Sequence, residues 1–333
     1  MRIISDKGVE SLLDSLDLDG IHTYQDALQE ALRQYHFDPS MIPERTIINK
    51  PELTKAVHIF MPSFTENSAG IKTLGGSKEG FKGCLLILDK DNGHVNGVVN
   101  ATTLTAFRTA LASTLPLKKF FQEERHNQEI TVYGNGLQAY WHVNLTLKLY
   151  PSSFKSVQIV VRSKNEKSMS LETRLKSDFP QINFILVEDS PDVNLSHSSV
   201  IYGCIPSTKP SIHLSQLNDR DQVFISIIGS YKPHMFEVDD GIVLKSKTNG
   251  KIIVDSYEHT LAEAGELIKN RVEKKNVIEI GELEYIDKED IVDFSKSNII
   301  LSKIVGLSIM DLTVGSSILQ TAIKKNVGIE TDF

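Results

Sequence analysis

The sequence predicts an α/β protein of two domains, and three observations carry that prediction. Residues 1–125 mix helical and strand periodicities, which reads as an α+β unit. Between residues 126 and 307, short segments apolar on both faces alternate with helical or polar ones, the pattern of a parallel sheet covered on both sides. A strand, a glycine-rich turn and a helix follow one another over residues 129–149.

Taken in order, residues 7–36 space Val9, Leu12, Leu13, Leu16, Tyr24, Leu28, Leu32 and Tyr35 by threes and fours, so a helix is expected there. Residues 56–61 and 83–89 read as strands. Asp91-Asn92-Gly93 is a hairpin turn signal joining the latter to a strand at 94–99. Residues 103–121 read as a helix with Thr102 or Thr103 as its N-cap. After the charged break Glu123-Glu124-Arg125-His126-Asn127 comes a strand at 129–133 and a helix at 137–149, stopped by Pro151-Ser152-Ser153. Further strands are expected at 157–161, 183–187, 200–203, 223–228, 250–254 and 299–301, and a last helix at 308–325. The domains are therefore drawn as 1–125, joined by the C-terminal residues 308–333, and 126–307.

The 333 residues are long enough for two cores, and 40% hydrophobic with 24% charged residues is ordinary for a globular protein. A net charge of −7 argues against nucleic acid or an anionic membrane as the main partner, because both reward a basic surface. The two cysteines, Cys84 and Cys204, sit in apolar runs and are expected as buried free thiols in a reducing compartment. The N-terminal residues lack an apolar signal core, and no uncharged apolar stretch nears the roughly 20 residues of a membrane span, so a cytoplasmic location is expected. No spacing of ligand residues points to a metal. His142 and His259 have no spaced partners suggesting a metal or a triad, and are expected to be structural or at the surface.

Gly134-Asn135-Gly136-Leu137-Gln138-Ala139 fits a Rossmann-type dinucleotide turn between strand and helix. Gly134 permits the tight turn, Gly136 lets the backbone approach a pyrophosphate, and Ala139 lets helix and strand pack closely. The phosphates would sit on free N–H groups at the helix N-terminus. The alternative is an ordinary strand–helix turn of small residues. A site for NAD(H) usually carries Asp or Glu at the end of the second strand, to bind the ribose 2′-hydroxyl. Here Arg162 and Ser163 stand there instead, a pair suited to a 2′-phosphate. NADP(H) is therefore favoured, NAD(H) remains open, and Arg162 as a plain surface charge is the competing reading.

Several stretches in the same order resemble the ornithine cyclodeaminase/mu-crystallin family. They are Pro43-Glu44-Arg45, Gly70-Ile71-Lys72, Leu104 to Ala110, Gly134 to Ala139, Gly229-Ser230-Tyr231-Lys232-Pro233 with Glu237-Val238-Asp239, and Lys303 to Gly306 with Asp311. The resemblance implies a strand-rich N-terminal domain supplying substrate contacts and a homodimer interface, followed by the Rossmann domain. It implies a small imino or amino acid as substrate, Arg45, Lys72 and Arg108 as site residues, Tyr231 beside the substrate and Gly229 beside the cofactor. Chemistry supports the assignment: Arg45 and Arg108 are suited to clamp a carboxylate, and Lys72 to stabilise its charge or to give and take a proton.

The sequence departs from the family at two places. Tyr231 stands where the cyclodeaminases carry an aspartate, and a tyrosine, with a pKa of about 10, is a poor base at neutral pH. Asn100-Ala101 replaces an Asp-Gly pair, with loss of a charge. The expected activity is reduction of imines or ketimines derived from amino acids. Two alternatives stand beside it: conversion of ornithine to proline and ammonia with NAD, and a catalytically weak nucleotide- or ligand-binding protein on the same fold.

Overall fold

The computed structural model describes residues 1–77, 80–121, 126–219 and 221–332; the charged break at Glu123, Glu124 and Arg125 lies outside them. Strand β1 (Arg2–Ile4) leads into α1 (Asp6–Asp14) and α2 (Leu18–Phe37). One helix was expected here, and two form. Asp17, in extended conformation, accepts from the Gly20 N–H and starts a new helix, after the Ser15 N–H has closed α1 onto the carbonyls of Ser11 and Leu13.

Strands β2 (Thr46–Ile48), β3 (Val57–Phe64), β4 (Ala69–Ser77), β5 (Gly80–Leu88) and β6 (Val95–Asn100) precede α3 (Ala101–Phe120). That helix begins earlier than expected, and its cap is neither Thr102 nor Thr103. The Asn100 side chain accepts the Thr102 N–H at 2.9 Å, and Asp6 accepts the Thr103 N–H at 2.9 Å. Asn100 is thus occupied as a helix cap, a role an amide oxygen fills as well as a carboxylate.

Next come β7 (Gln128–Tyr133), α4 (Leu137–Leu149), β8 (Phe154–Val161), α5 (Glu166–Asp178), β9 (Asn183–Glu188), β10 (Ser198–Gly203) and β11 (Val223–Ile227). They are followed by α6 (Asp240–Thr248), β12 (Ile252–Val254), α7 (Tyr257–Glu263), α8 (Gly265–Lys269), β13 (Val277–Glu279), α9 (Lys288–Ile291) and β14 (Ile299–Lys303). The chain ends with α10 (Ser308–Lys324) and β15 (Ile329–Glu330).

The chain divides into two compact units, Met1–Arg108 with Gly306–Phe333, and Thr109–Val305. In the first, the described residues form a seven-stranded sheet in the order β15-β1-β6-β5-β4-β3-β2. Helix α10 packs against β3, β4, β5 and α2. Strand alternation sends Met61, Lys72, Leu85 and Val99, paired across β3 to β6, to one buried face. The opposite face carries Pro62, Ile71, Leu86, Val98 and Ile3 in one row, half-buried except for Ile3, which is exposed.

In the second unit, the described residues form an eight-stranded sheet in the order β13-β12-β14-β11-β10-β7-β8-β9, parallel throughout. From β9 to β11 the strands run third, second, first, fourth and fifth in sequence, the order of a doubly wound Rossmann sheet. The direction of winding reverses between β7 and β10. Apolar side chains of β7, β8, β10, β11 and β14 pack into one core with α6 and α8. No helix among the described residues is long and apolar enough to cross a membrane. Cys84 and Cys204 are free as expected, but half-buried rather than buried, because each lies near the edge of its apolar run.

Candidate functional site

Lys72 occupies the middle of β4, and its side chain is 1% exposed. Burying a lone ammonium costs several kcal/mol, so it needs a partner. Asp311, in the first turn of α10, provides one: Lys72 Nζ donates to its Oδ1 at 2.7 Å. Arg108, on α3, donates from Nε to the same oxygen at 3.2 Å. The guanidinium lies over Gly306, whose φ of +93° suits glycine and where a Cβ would stand 2.9 Å from both Nη atoms. Arg108 Nη1 also approaches Met310 Sδ at 3.3 Å.

The cluster holds two buried cations and one buried anion, a net positive charge shielded from water. Burial pushes the Lys72 ammonium down to about 8, the charge of Arg108 acts in the same direction, and Asp311 opposes both. Asp311 Oδ2 is buried and has no hydrogen-bond partner among the described residues. The arrangement can receive an anion, and a carboxylate matches the fork of Arg108. Arg45 is not part of this triad. It is half-buried and stands one residue before Thr46, which pairs with Phe60 next to the Met61–Lys72 row.

In the second unit, the glycine turn leaves β7 at the switch between β7 and β10. Gly134 has φ +124°, and a Cβ there would lie 3.1 Å from the Cys204 carbonyl; its N–H donates to Val160 O at 2.9 Å. At Gly136, which precedes α4, a Cβ would meet no atom of the described residues within 4 Å, and no side chain among them caps the helix. Gly136 therefore faces open space at the uncapped N-terminus of α4, and this turn fits a dinucleotide pyrophosphate. Arg162 and Ser163 are exposed just beyond β8, whose Val160 pairs with Tyr133 of β7. The carboxylate bonded at this edge is Glu188, which accepts the Lys164 N–H at 3.1 Å.

Gly229 and Tyr231 follow β11. Gly229 approaches Ile205 so closely that a Cβ would lie 2.2 Å from its carbonyl oxygen. The two loops are held by Glu237, whose Oε1 accepts from Ile205 N at 3.1 Å and whose Oε2 accepts from Gly229 N at 2.7 Å and Ser230 N at 3.0 Å. Lys303 Nζ donates to Ser230 Oγ at 2.6 Å and lies 3.4 Å from Glu266 and 4.0 Å from Glu237. Two buried carboxyls thus share one ammonium. Burial lifts Glu237 to about 7, with Glu266 adding to the rise, while Lys303 and the backbone donors pull it down. Burial also raises Tyr231 above the usual phenol range, which makes it a poorer base still.

His142 is buried, and Gln138 O, which can only accept, takes its Nδ1 proton at 2.8 Å. Nε2 then accepts from Ser113 at 2.9 Å, and Ser113 accepts from Ser226 at 3.0 Å. Burial lowers the ring to about 4, so it stays neutral and holds structure together.

Lys72 and Arg108 were expected from the family resemblance; the contacts of Asp311, Glu237, Glu266 and Lys303 were not expected. A signal was present. Asp311 stands alone among Ile309, Met310 and Leu312, and Lys303 ends an apolar strand; a single charge in a buried apolar run requires a partner.

A family model described as "Ornithine cyclodeaminase/mu-crystallin family" matches residues 9–326. An uncharacterized protein of Saccharomyces cerevisiae is 35% identical over 90% of this chain and 91% of its own. A Delta(1)-pyrroline-2-carboxylate reductase of Bacillus thuringiensis is 23% identical over 91% of this chain and 93% of its own. Among solved structures, Delta(1)-pyrroline-2-carboxylate reductase of Thermococcus litoralis, in complex with NADH and L-proline, superposes with a TM-score of 0.83. It is 19% identical, covering 99% of this chain and 100% of that one.

Proposed function

Because this chain belongs to the ornithine cyclodeaminase/mu-crystallin family, we propose that it is an NADP(H)-dependent reductase of imines derived from α-amino acids, cyclic ketimines foremost. The observation that carries this reading is the pair of buried cations, Lys72 and Arg108, sharing the one carboxylate of Asp311. A substrate carboxylate completes that charge balance. Arg108 and Arg45 clamp it, and Lys72 stands by the carbon–nitrogen bond as proton donor.

When bound, a reduced nicotinamide supplies a hydride to the imine carbon. The protein does the rest: it fixes the carboxylate, keeps the reacting bond away from water and delivers a proton to the nitrogen, so that an amine results. The N–H groups of Asn135, Gly136, Leu137 and Gln138 would hold the pyrophosphate, Arg162 and Ser163 would hold the 2′-phosphate, and Gly229 would border the nucleotide. The relatives named pyrroline-2-carboxylate reductase support imine reduction. The Thermococcus enzyme binds NADH, so the preference for NADP(H) rests on Arg162 and Ser163 alone.

A cyclodeaminase needs a base for the substrate's second amine, and Tyr231, lifted further by burial, does not suit that task. Two chains pairing through the row containing Ile71 and Leu86 would form the homodimer. Two free cysteines suit a reducing compartment such as the cytoplasm. The test is to titrate NADPH and NADH, then to follow nicotinamide absorbance with cyclic ketimines, with pyruvate plus amines and with ornithine. Turnover of ketimines with NADPH is expected. Tight NADH binding with proline formed from ornithine would sink the reading.

A further inference from the structure

The two oxygens of Asp311 are used unequally. Oδ1 takes both Lys72 Nζ and Arg108 Nε, while Oδ2 has no hydrogen-bond partner among the described residues, although the side chain is fully buried. An unpaired buried acceptor is costly, and a ligand that donates to it recovers that cost. On the reading that this site holds an α-imino acid, we propose that Asp311 Oδ2 accepts the substrate's N–H and so selects carbon–nitrogen substrates over their carbon–oxygen counterparts.

The chemistry of the substrate matches this asymmetry. In an α-imino or α-amino acid the nitrogen is attached to the carbon that bears the carboxylate, so acceptor and donor lie side by side. The carboxylate goes to Arg108 and Arg45, Lys72 stands beside the nitrogen, and the N–H goes to the Asp311 carboxyl that Lys72 and Arg108 share. A protonated imine donates an N–H and carries a positive charge, both welcome beside Asp311. The amine product also donates. A 2-oxo acid puts a carbonyl oxygen at the same place, and two acceptors then face each other in a buried site, leaving both unsatisfied. Asp311 is thus assigned two tasks by its two oxygens: Oδ1 gathers the cations, and Oδ2 reads the nitrogen.

The test compares two ligands of one shape, L-proline and cyclopentanecarboxylate, which lacks the N–H. Calorimetry on the protein carrying oxidised nucleotide should give the wild type at least a tenfold preference for proline. Asp311→Asn, which turns the acceptor into a donor, should remove that preference while leaving nucleotide affinity within about twofold. It should also lower kcat/KM for a cyclic ketimine by about a hundredfold, more than for the matching 2-oxo acid; loss of about 1.5–3 kcal/mol at a charged hydrogen bond corresponds to a tenfold to hundredfold effect. A structural role alone would depress both substrates equally. If the wild type binds the two ligands equally, or binds neither, the assignment is overturned, and that arm needs no variant to fold. Retention of the preference in Asp311→Asn overturns it as well. Failure of the wild type to reduce any imine is a separate result, which removes the reductase reading while the ligand pair still tests Asp311.

Discussion

Lys72 and Arg108 donate to the same atom, Oδ1 of Asp311, at 2.7 and 3.2 Å. One lies mid-strand on β4 and the other on α3, so two cations from distant parts of the sequence meet on a carboxylate from a third. The shared oxygen orients both, yet cannot neutralise both, and the remaining positive charge is what the proposed anionic substrate would meet.

Replacing Lys72 with alanine should reduce imine turnover by about a hundredfold to ten-thousandfold, the usual contribution of a positioned proton donor. Nucleotide affinity should change little, because the glycine turn belongs to the other unit. Single-turnover absorbance with a cyclic ketimine measures the first quantity and a fluorescence titration the second. Surviving turnover would remove Lys72 from the mechanism.

The pH profile should follow the Lys72 ammonium, held near 8. Reduction consumes a proton, so kcat/KM should be flat below that value and fall by about tenfold per pH unit above it. Amine oxidation needs the neutral lysine and should rise toward pH 8 and then level off. Asp311→Asn removes the charge that holds the proton on, so the break should move to lower pH. A break unmoved by that change would separate Lys72 from the titration.

Arg162→Ala should weaken NADPH binding by about tenfold to hundredfold and leave NADH almost unaffected, since only the former has a phosphate for the guanidinium. Parallel titrations decide it. Equal loss for both nucleotides would count against the 2′-phosphate contact.

Glu237 should make stability depend on pH. Its folded value of about 7 lies above the ordinary 4.5, so the fold favours the protonated form. The associated stability is complete below the ordinary value and is lost as pH rises through 7. Melting temperatures across that interval should fall with rising pH for the wild type and be flatter for Glu237→Gln. That variant should also lose about 1–3 kcal/mol, because its amide turns a donor toward a backbone N–H.

Ile71→Glu or Leu86→Glu places a charge in the apolar row on the outer face of the first sheet. If the proposed homodimer forms through this row, either should give a monomer in light scattering while nucleotide affinity is kept. A dimer that survives both would move the interface elsewhere.

Much of this protein was legible in its sequence because the deciding physics is local. The hydrophobic rhythm over residues 129–303 and the glycines at 134 and 136 define a strand–turn–helix and a parallel sheet with few alternatives. The pairing of α1 with α2 was less legible, since the capping of Asp17 onto Gly20 competes with an unbroken apolar stripe. The cap at Asn100 was hidden for the same reason, as neighbouring polar residues compete for it.

The sequence alone determined the α/β class, the Rossmann-type turn and the absence of a carboxylate at the end of β8, while Lys72 and Arg108 became candidates through the family resemblance. Only the tertiary structure decided that Lys72 and Arg108 share Asp311, and that Glu237, Glu266 and Lys303 hold the loops after β10 and β11. The reason is separation along the chain. Lys72 and Asp311 lie 239 residues apart, and a charge balance between such residues exists only after folding has removed them from water.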